Sequence, residues 1–170
     1  MPIVAPRSTQ ADRTRVHDPH ARTQRLALQR WIDDRRPLDR EVTRVADIGP
    51  DAVAAAVLDS VTPSAPGESL LLRCRDCLLD SPATVPLAVG RHSSRIAMLL
   101  GDEHQAGYER ALASLPIRLR GLVILRIEFG LDPSAMATEL GQPEHATRKA
   151  TLEALGALAM ALSPTRRRAA

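Results

Sequence analysis

The chain has 170 residues, 44% of them apolar, with 23 basic against 20 acidic side chains and a net charge of +3. Only Trp31, Tyr108 and Phe129 are aromatic, so the core has to be built from Leu, Val, Ile and Ala, a composition that favours helix. No apolar run approaches the roughly 20 residues that cross a bilayer, the N-terminus lacks the apolar core of a signal peptide, and the basic excess is too mild for bulk charge alone to drive nucleic-acid binding. A cytoplasmic protein is expected, of one domain or of two very small ones that would each be marginal alone.

Residues 1–20 carry prolines, arginines and polar residues without periodicity and read as a disordered arm. From Ala21 a helix containing Leu26, Leu28 and Trp31 runs towards Pro37. A second is suggested by Leu38, Val42, Val45 and Ala46, stopping at Gly49-Pro50. Asp51 reads as the cap of a third over Ala52 to Val61, with Val53, Val57, Leu58 and Val61 on its apolar side. The loop Thr62 to Gly67 precedes a helix from Ser69 to Leu79. Residues 81–103 read as a linker with one short helical stretch around Ile96 to Leu100, and 104–113 as a lead-in helix.

Leu115 to Leu162 has the layout of a helix-turn-helix. Leu115-Pro116 opens its first helix, where proline loses no hydrogen bond because that amide is unpartnered anyway. Leu119, Leu122, Val123 and Ile127 recur at three- and four-residue spacing on one face. Phe129-Gly130-Leu131 ends it. Asp132-Pro133 starts the next, with Ala135, Met136, Ala137 and Leu140 as its apolar face. Gly141-Gln142-Pro143 is the turn, and Glu144 to Leu162 the last helix, with Leu152, Leu155, Ala159 and Leu162 as its stripe. Residues 163–170 form a basic tail. The fold expected is all-α: two small helical bundles, 21–80 and 104–162, joined by the 81–103 linker.

The segment from Leu115 to Leu155 resembles the promoter-binding C-terminal domain of sigma-70-family transcription initiation factors, of the extracytoplasmic-function type. That family's pattern is matched in order and without a gap by Leu115, Pro116, Arg118, Arg120, Leu125, Arg126, Gly130, Leu131, Met136, Ala137, Leu140 and Gly141. The resemblance extends more weakly into the N-terminal half. Asp51 to Leu58 stands where the family's polymerase-clamp helix lies, and in Leu71 to Asp80 the residues Arg75, Leu79 and Asp80 match a second motif. The implied partners are core RNA polymerase, docked on Asp51, Ala54, Ala55 and Leu58, and promoter DNA, with room for an anti-sigma protein. Two registers of the recognition helix stay open. The ungapped one puts Ala146, Thr147, Arg148 and Ala150 at the positions where the family usually holds a threonine, a valine, a lysine and an arginine. One longer by a residue puts Thr147, Lys149 and Leu152 there, and is preferred because it buries Leu152. Either leaves Gln142, His145, Thr147, Arg148 and Lys149 near the helix start, where side chains meet a major groove. Arginine and lysine suit guanine or phosphate, glutamine suits adenine, and threonine suits a thymine methyl.

No other constellation points to chemistry. Cys74 and Cys77 form a C-x-x-C, but a zinc site needs four ligands and no second pair exists; two cysteines three apart on a helix read as small buried side chains. His92, Ser93 and Ser94 are mere neighbours, without the glycine elbow of a nucleophile. An enzyme, a metal site and a cofactor are therefore not expected. The main alternative is a sigma-like interaction module that binds polymerase or a regulator without reading promoters. The near-neutral charge favours it, whereas the intact Leu-Pro, Gly-Leu and Leu-Gly framework favours the initiation factor.

Overall fold

Asp18 starts the first helix, its carboxylate accepting the His20 amide at 2.9 Å with Pro19 at the first helical position, so α1 (Pro19–Asp34) begins two residues before the expected Ala21. The computed structural model describes residues 18–35, 49–61, 68–80, 93–101 and 104–163. The expected helix around Leu38 to Ala46, most of the N-terminal arm, the 62–67 loop, the 81–92 part of the linker and the tail beyond Ser163 lie outside the described residues. The remaining elements are α2 (Pro50–Ser60), α3 (Leu70–Asp80), α4 (Ser94–Leu100), α5 (Gln105–Ser114), α6 (Ile117–Val123) running into a π-turn at Ile124–Glu128, α7 (Pro133–Leu140) and α8 (Glu144–Leu162). The protein is all-α, with no strand among the described residues.

Local caps explain most boundaries. Gly49 rather than Asp51 precedes α2, with Pro50 at its first position; Asp51 lies inside the first turn, where a negative charge suits the helix dipole. Ser93 caps α4 by accepting the Ile96 amide at 3.1 Å, and Asp34, at the end of α1, accepts from both the Ser93 hydroxyl and the Arg95 amide. Asp132 caps α7 through the Ala135 amide at 2.8 Å. Gly141 ends α7 in the left-handed region at φ 60°, and the Gln142 amide reaches back to the Ala137 carbonyl. That conformation favours glycine. Arg120 of α6 donates to the carbonyls of Leu112, Ala113 and Leu115, closing the otherwise open C-terminus of α5. One of the arginines that carry the family resemblance is thus a structural cap.

The apolar residues of all these helices form one cluster, from Leu28, Trp31 and Ile32 of α1 through Val57, Leu71 and Ile96 to Leu125, Phe129, Met136 and Leu158. Trp31 stacks on Phe129 with ring centroids 5.8 Å apart. Among the described residues, the N- and C-terminal helices both contribute to this cluster. Pooling apolar surface in this way raises the fraction buried, which matters most for small helical units.

Within α8 the buried face is Thr147, Thr151, Ala154 and Leu158, not the expected stripe. Leu152 is 67% exposed. The threonines tolerate burial because their hydroxyls bond back to the Pro143 and Thr147 carbonyls, at 3.2 and 2.7 Å. The expected burial of Leu152, on which the preference for the longer register rests, is thus not found. Leu158→Ala should therefore cost about 2–5 kcal/mol by leaving a core cavity. Leu152→Ala should stay within about 0.5 kcal/mol of the parent. Urea titration of the two variants compares them, and equal losses would place Leu152 in the core after all.

Candidate nucleic-acid interface

The α7–turn–α8 segment places a run of polar side chains on the outer face of α8. Glu144, His145, Arg148, Lys149 and Leu152 line one shallow surface groove, and Gln142 is exposed in the turn before it. Of the five residues expected to meet DNA, Gln142, His145, Arg148 and Lys149 are exposed near the start of α8. Thr147 is not. Its side chain is fully buried and its hydroxyl is engaged by Pro143, so the thymine-methyl contact expected of it has no access to a groove. Arg148 is held by Glu144 one turn earlier at 2.8 Å, both side chains about half exposed. Such a pair contributes little to stability and is readily exchanged for another partner.

The residues expected to dock on polymerase do not make an outward face. Ala54 is fully buried and Leu58 packs against the core. Ala55 is half-buried, and only Asp51 is exposed. The reason is that α2 lies against α1 and α3, using its small residues for close packing. Asp51 makes a two-pronged pair with Arg25, at 2.8 and 2.7 Å. That hydrogen bond and the Arg25 charge hold the Asp51 carboxyl below its usual value. The sign of the linkage follows: the pair's small stabilisation is present above the ordinary carboxylate range and fades as the pH falls through it.

Two buried carboxylates behind the groove fix the C-terminal helices to the N-terminal ones. Glu128, in the π-turn, has a fully buried side chain. It accepts from Trp31 Nε1 at 3.0 Å, from Arg35 at 2.7 Å, from Arg75 Nε at 3.0 Å and Nη2 at 3.3 Å, and from the Tyr108 hydroxyl at 3.3 Å. Arg35 also lies over the Trp31 ring, 4.1 Å from its centroid. Burial lowers the Arg35 pKa despite Glu128 and Asp34. At Arg75 burial pulls the same way, but the charge and hydrogen bond of Glu128 outweigh it and the pKa is raised. Burial and the Glu128 charge push the Tyr108 phenol up. With its lone pairs taken, Glu128 is a structural anchor rather than a reactive group.

Glu139 of α7 is the second anchor, its side chain 1% exposed. Oε1 accepts from the Ser69 hydroxyl at 2.7 Å and the Leu71 amide at 3.0 Å, while Oε2 accepts from Gln24 at 2.8 Å and lies 3.4 Å from His20 Nε2. The helix that precedes the turn thereby caps the N-terminus of α3. Neither glutamate stands out in the sequence, because each reads as a surface charge in an amphipathic helix. The signal that could have found Glu128 is a lone acid inside the apolar run Leu122 to Phe129.

Of the cysteine pair, Cys74 is buried and Cys77 exposed, so only the first is a core side chain. Burial pushes the Cys74 thiol up to about 12, which keeps it protonated and poorly nucleophilic. Among the described residues, no group of three His, Cys, Asp or Glu could hold a metal, and no helix is long and apolar enough to cross a membrane. No protein-family model, curated protein or solved structure matches the chain.

Proposed function

We propose that the chain is a sigma-like transcription initiation factor that reads DNA in the cytoplasm through the outer face of α8 and binds core RNA polymerase. The observation that carries this reading is the exposure of Gln142, His145, Arg148 and Lys149 together at the start of the second helix of a helix-turn-helix, while Thr147, Thr151, Ala154 and Leu158 hold that helix to the core. This is the presentation a major-groove reader needs. The sequence resemblance adds the promoter and polymerase. The polymerase surface then lies away from Ala54 and Leu58.

A second reading, a protein-interaction module without promoter reading, is favoured by the charge balance of the same face. Glu144 and Glu153 offset Arg148 and Lys149, and Glu144 pairs directly with Arg148. One experiment separates the two. The full chain is used, since Glu128 and Glu139 find most of their partners in the N-terminal half. Its binding to a randomised duplex library is measured at two salt concentrations, alongside Arg148→Ala/Lys149→Ala. The parent should bind with a clear salt dependence. The double variant should lose affinity and, for each phosphate contact removed, about one from the salt slope. Should the parent show no salt-dependent binding, promoter reading is refuted and the interaction module takes its place.

A further inference from the structure

We propose that Leu152 is the residue through which α8 reads a thymine methyl group, a role that rests on α8 being the DNA-reading helix. An exposed leucine is ordinarily unremarkable on a protein surface, but the local arrangement here runs against hydrophobicity. Thr151 is buried and Leu152, next to it, is 67% exposed. Seating the leucine inward and a threonine outward would remove more apolar surface from water. The back-bonded threonines make this phase possible, and a break with local hydrophobic preference of this kind is expected where a site is held for function.

The position agrees. Leu152 shares one groove with Glu144, His145, Arg148 and Lys149, so an apolar contact sits beside two cations, of which Arg148 pairs with Glu144 through an exposed bridge that a phosphate or base edge can replace. It follows Arg148 by one helical turn, about 6 Å along the axis, or roughly two base-pair steps of duplex. An apolar side chain at that depth meets the C5 methyl of thymine, the apolar feature that the major groove offers. The occupant of the groove is therefore the major groove of duplex DNA with a thymine near the base or phosphate that Arg148 contacts. The burial of Thr147, which removes the more obvious methyl-contacting side chain, leaves this task to Leu152.

The test uses the full chain and a duplex selected from a randomised library, in which each thymine is replaced in turn by deoxyuridine, a change that deletes only the methyl. The parent should lose about three- to five-fold in affinity at one position, the increment expected for burying a single methyl. Leu152→Ala, whose folding is checked by circular dichroism, should show no loss at that position and should bind the thymine and deoxyuridine duplexes equally. A selected sequence without a thymine preference, or a deoxyuridine effect of the same size in Leu152→Ala, overturns the assignment while DNA reading stands. Absence of any salt-dependent binding by the parent overturns DNA reading itself, and the role of Leu152 with it.

Discussion

Glu128→Ala should destabilise the protein by about 3–5 kcal/mol, the cost of removing the buried counter-charge that two guanidinium groups share. The carboxylate neutralises Arg35 and Arg75 together, and without it each keeps a longer carboxylate contact, with Asp34 and Asp76 respectively, at 3.3 Å. The Trp31 indole and the Tyr108 hydroxyl lose an acceptor in the same step. Guanidinium chloride unfolding compared with the parent checks this. Replacing the triad as a whole, as Glu128→Leu with Arg35→Met and Arg75→Met, should recover most of the loss, because well-packed apolar groups need no charge partners. A loss below about 1 kcal/mol for Glu128→Ala would mean that both arginines reach solvent and behave like surface pairs.

Trp31→Ala should cost a similar amount, about 3–5 kcal/mol, by emptying the seam between the N- and C-terminal helices. Trp31 is fully buried, stacks on Phe129 and donates to Glu128. Trp31→Phe keeps the ring stack and loses the hydrogen bond, so it should cost only about 1–2 kcal/mol. The chain has a single tryptophan, which makes its fluorescence a reporter of that seam. In the parent, the fluorescence change and the loss of helicity should coincide in one transition, as a shared core requires. A fluorescence transition well before the helical one would show that the halves separate while each stays folded.

The two anchors also bear on the proposed DNA reading. α8 is oriented by α6 and α7, and these are tied to α1 and α3 through Glu128 and Glu139. The orientation of the outer face of α8 is thus set partly by residues about a hundred positions away in the chain, such as Gln24. Loss of an N-terminal anchor therefore shifts the placement of α8 without any change in its own exposed residues.

By itself the sequence determined the helices, because their signals are local. Asp132-Pro133 and Gly141 each act within one turn of the backbone, where capping geometry and the left-handed preference of glycine do not depend on what lies across the core. The exposed polar start of α8 was legible for the same reason. What only the tertiary structure decided is where polar side chains are satisfied. Thr147 and Thr151 turn inward by bonding to their own helix, which shifts the buried face by one residue, or about 100°, and puts Leu152 outside. Glu128 and Glu139 are buried because their donors arrive from α1 and α3, far away in sequence. A side chain's polarity is written in the sequence, whereas the partner that makes its burial affordable is supplied by the fold.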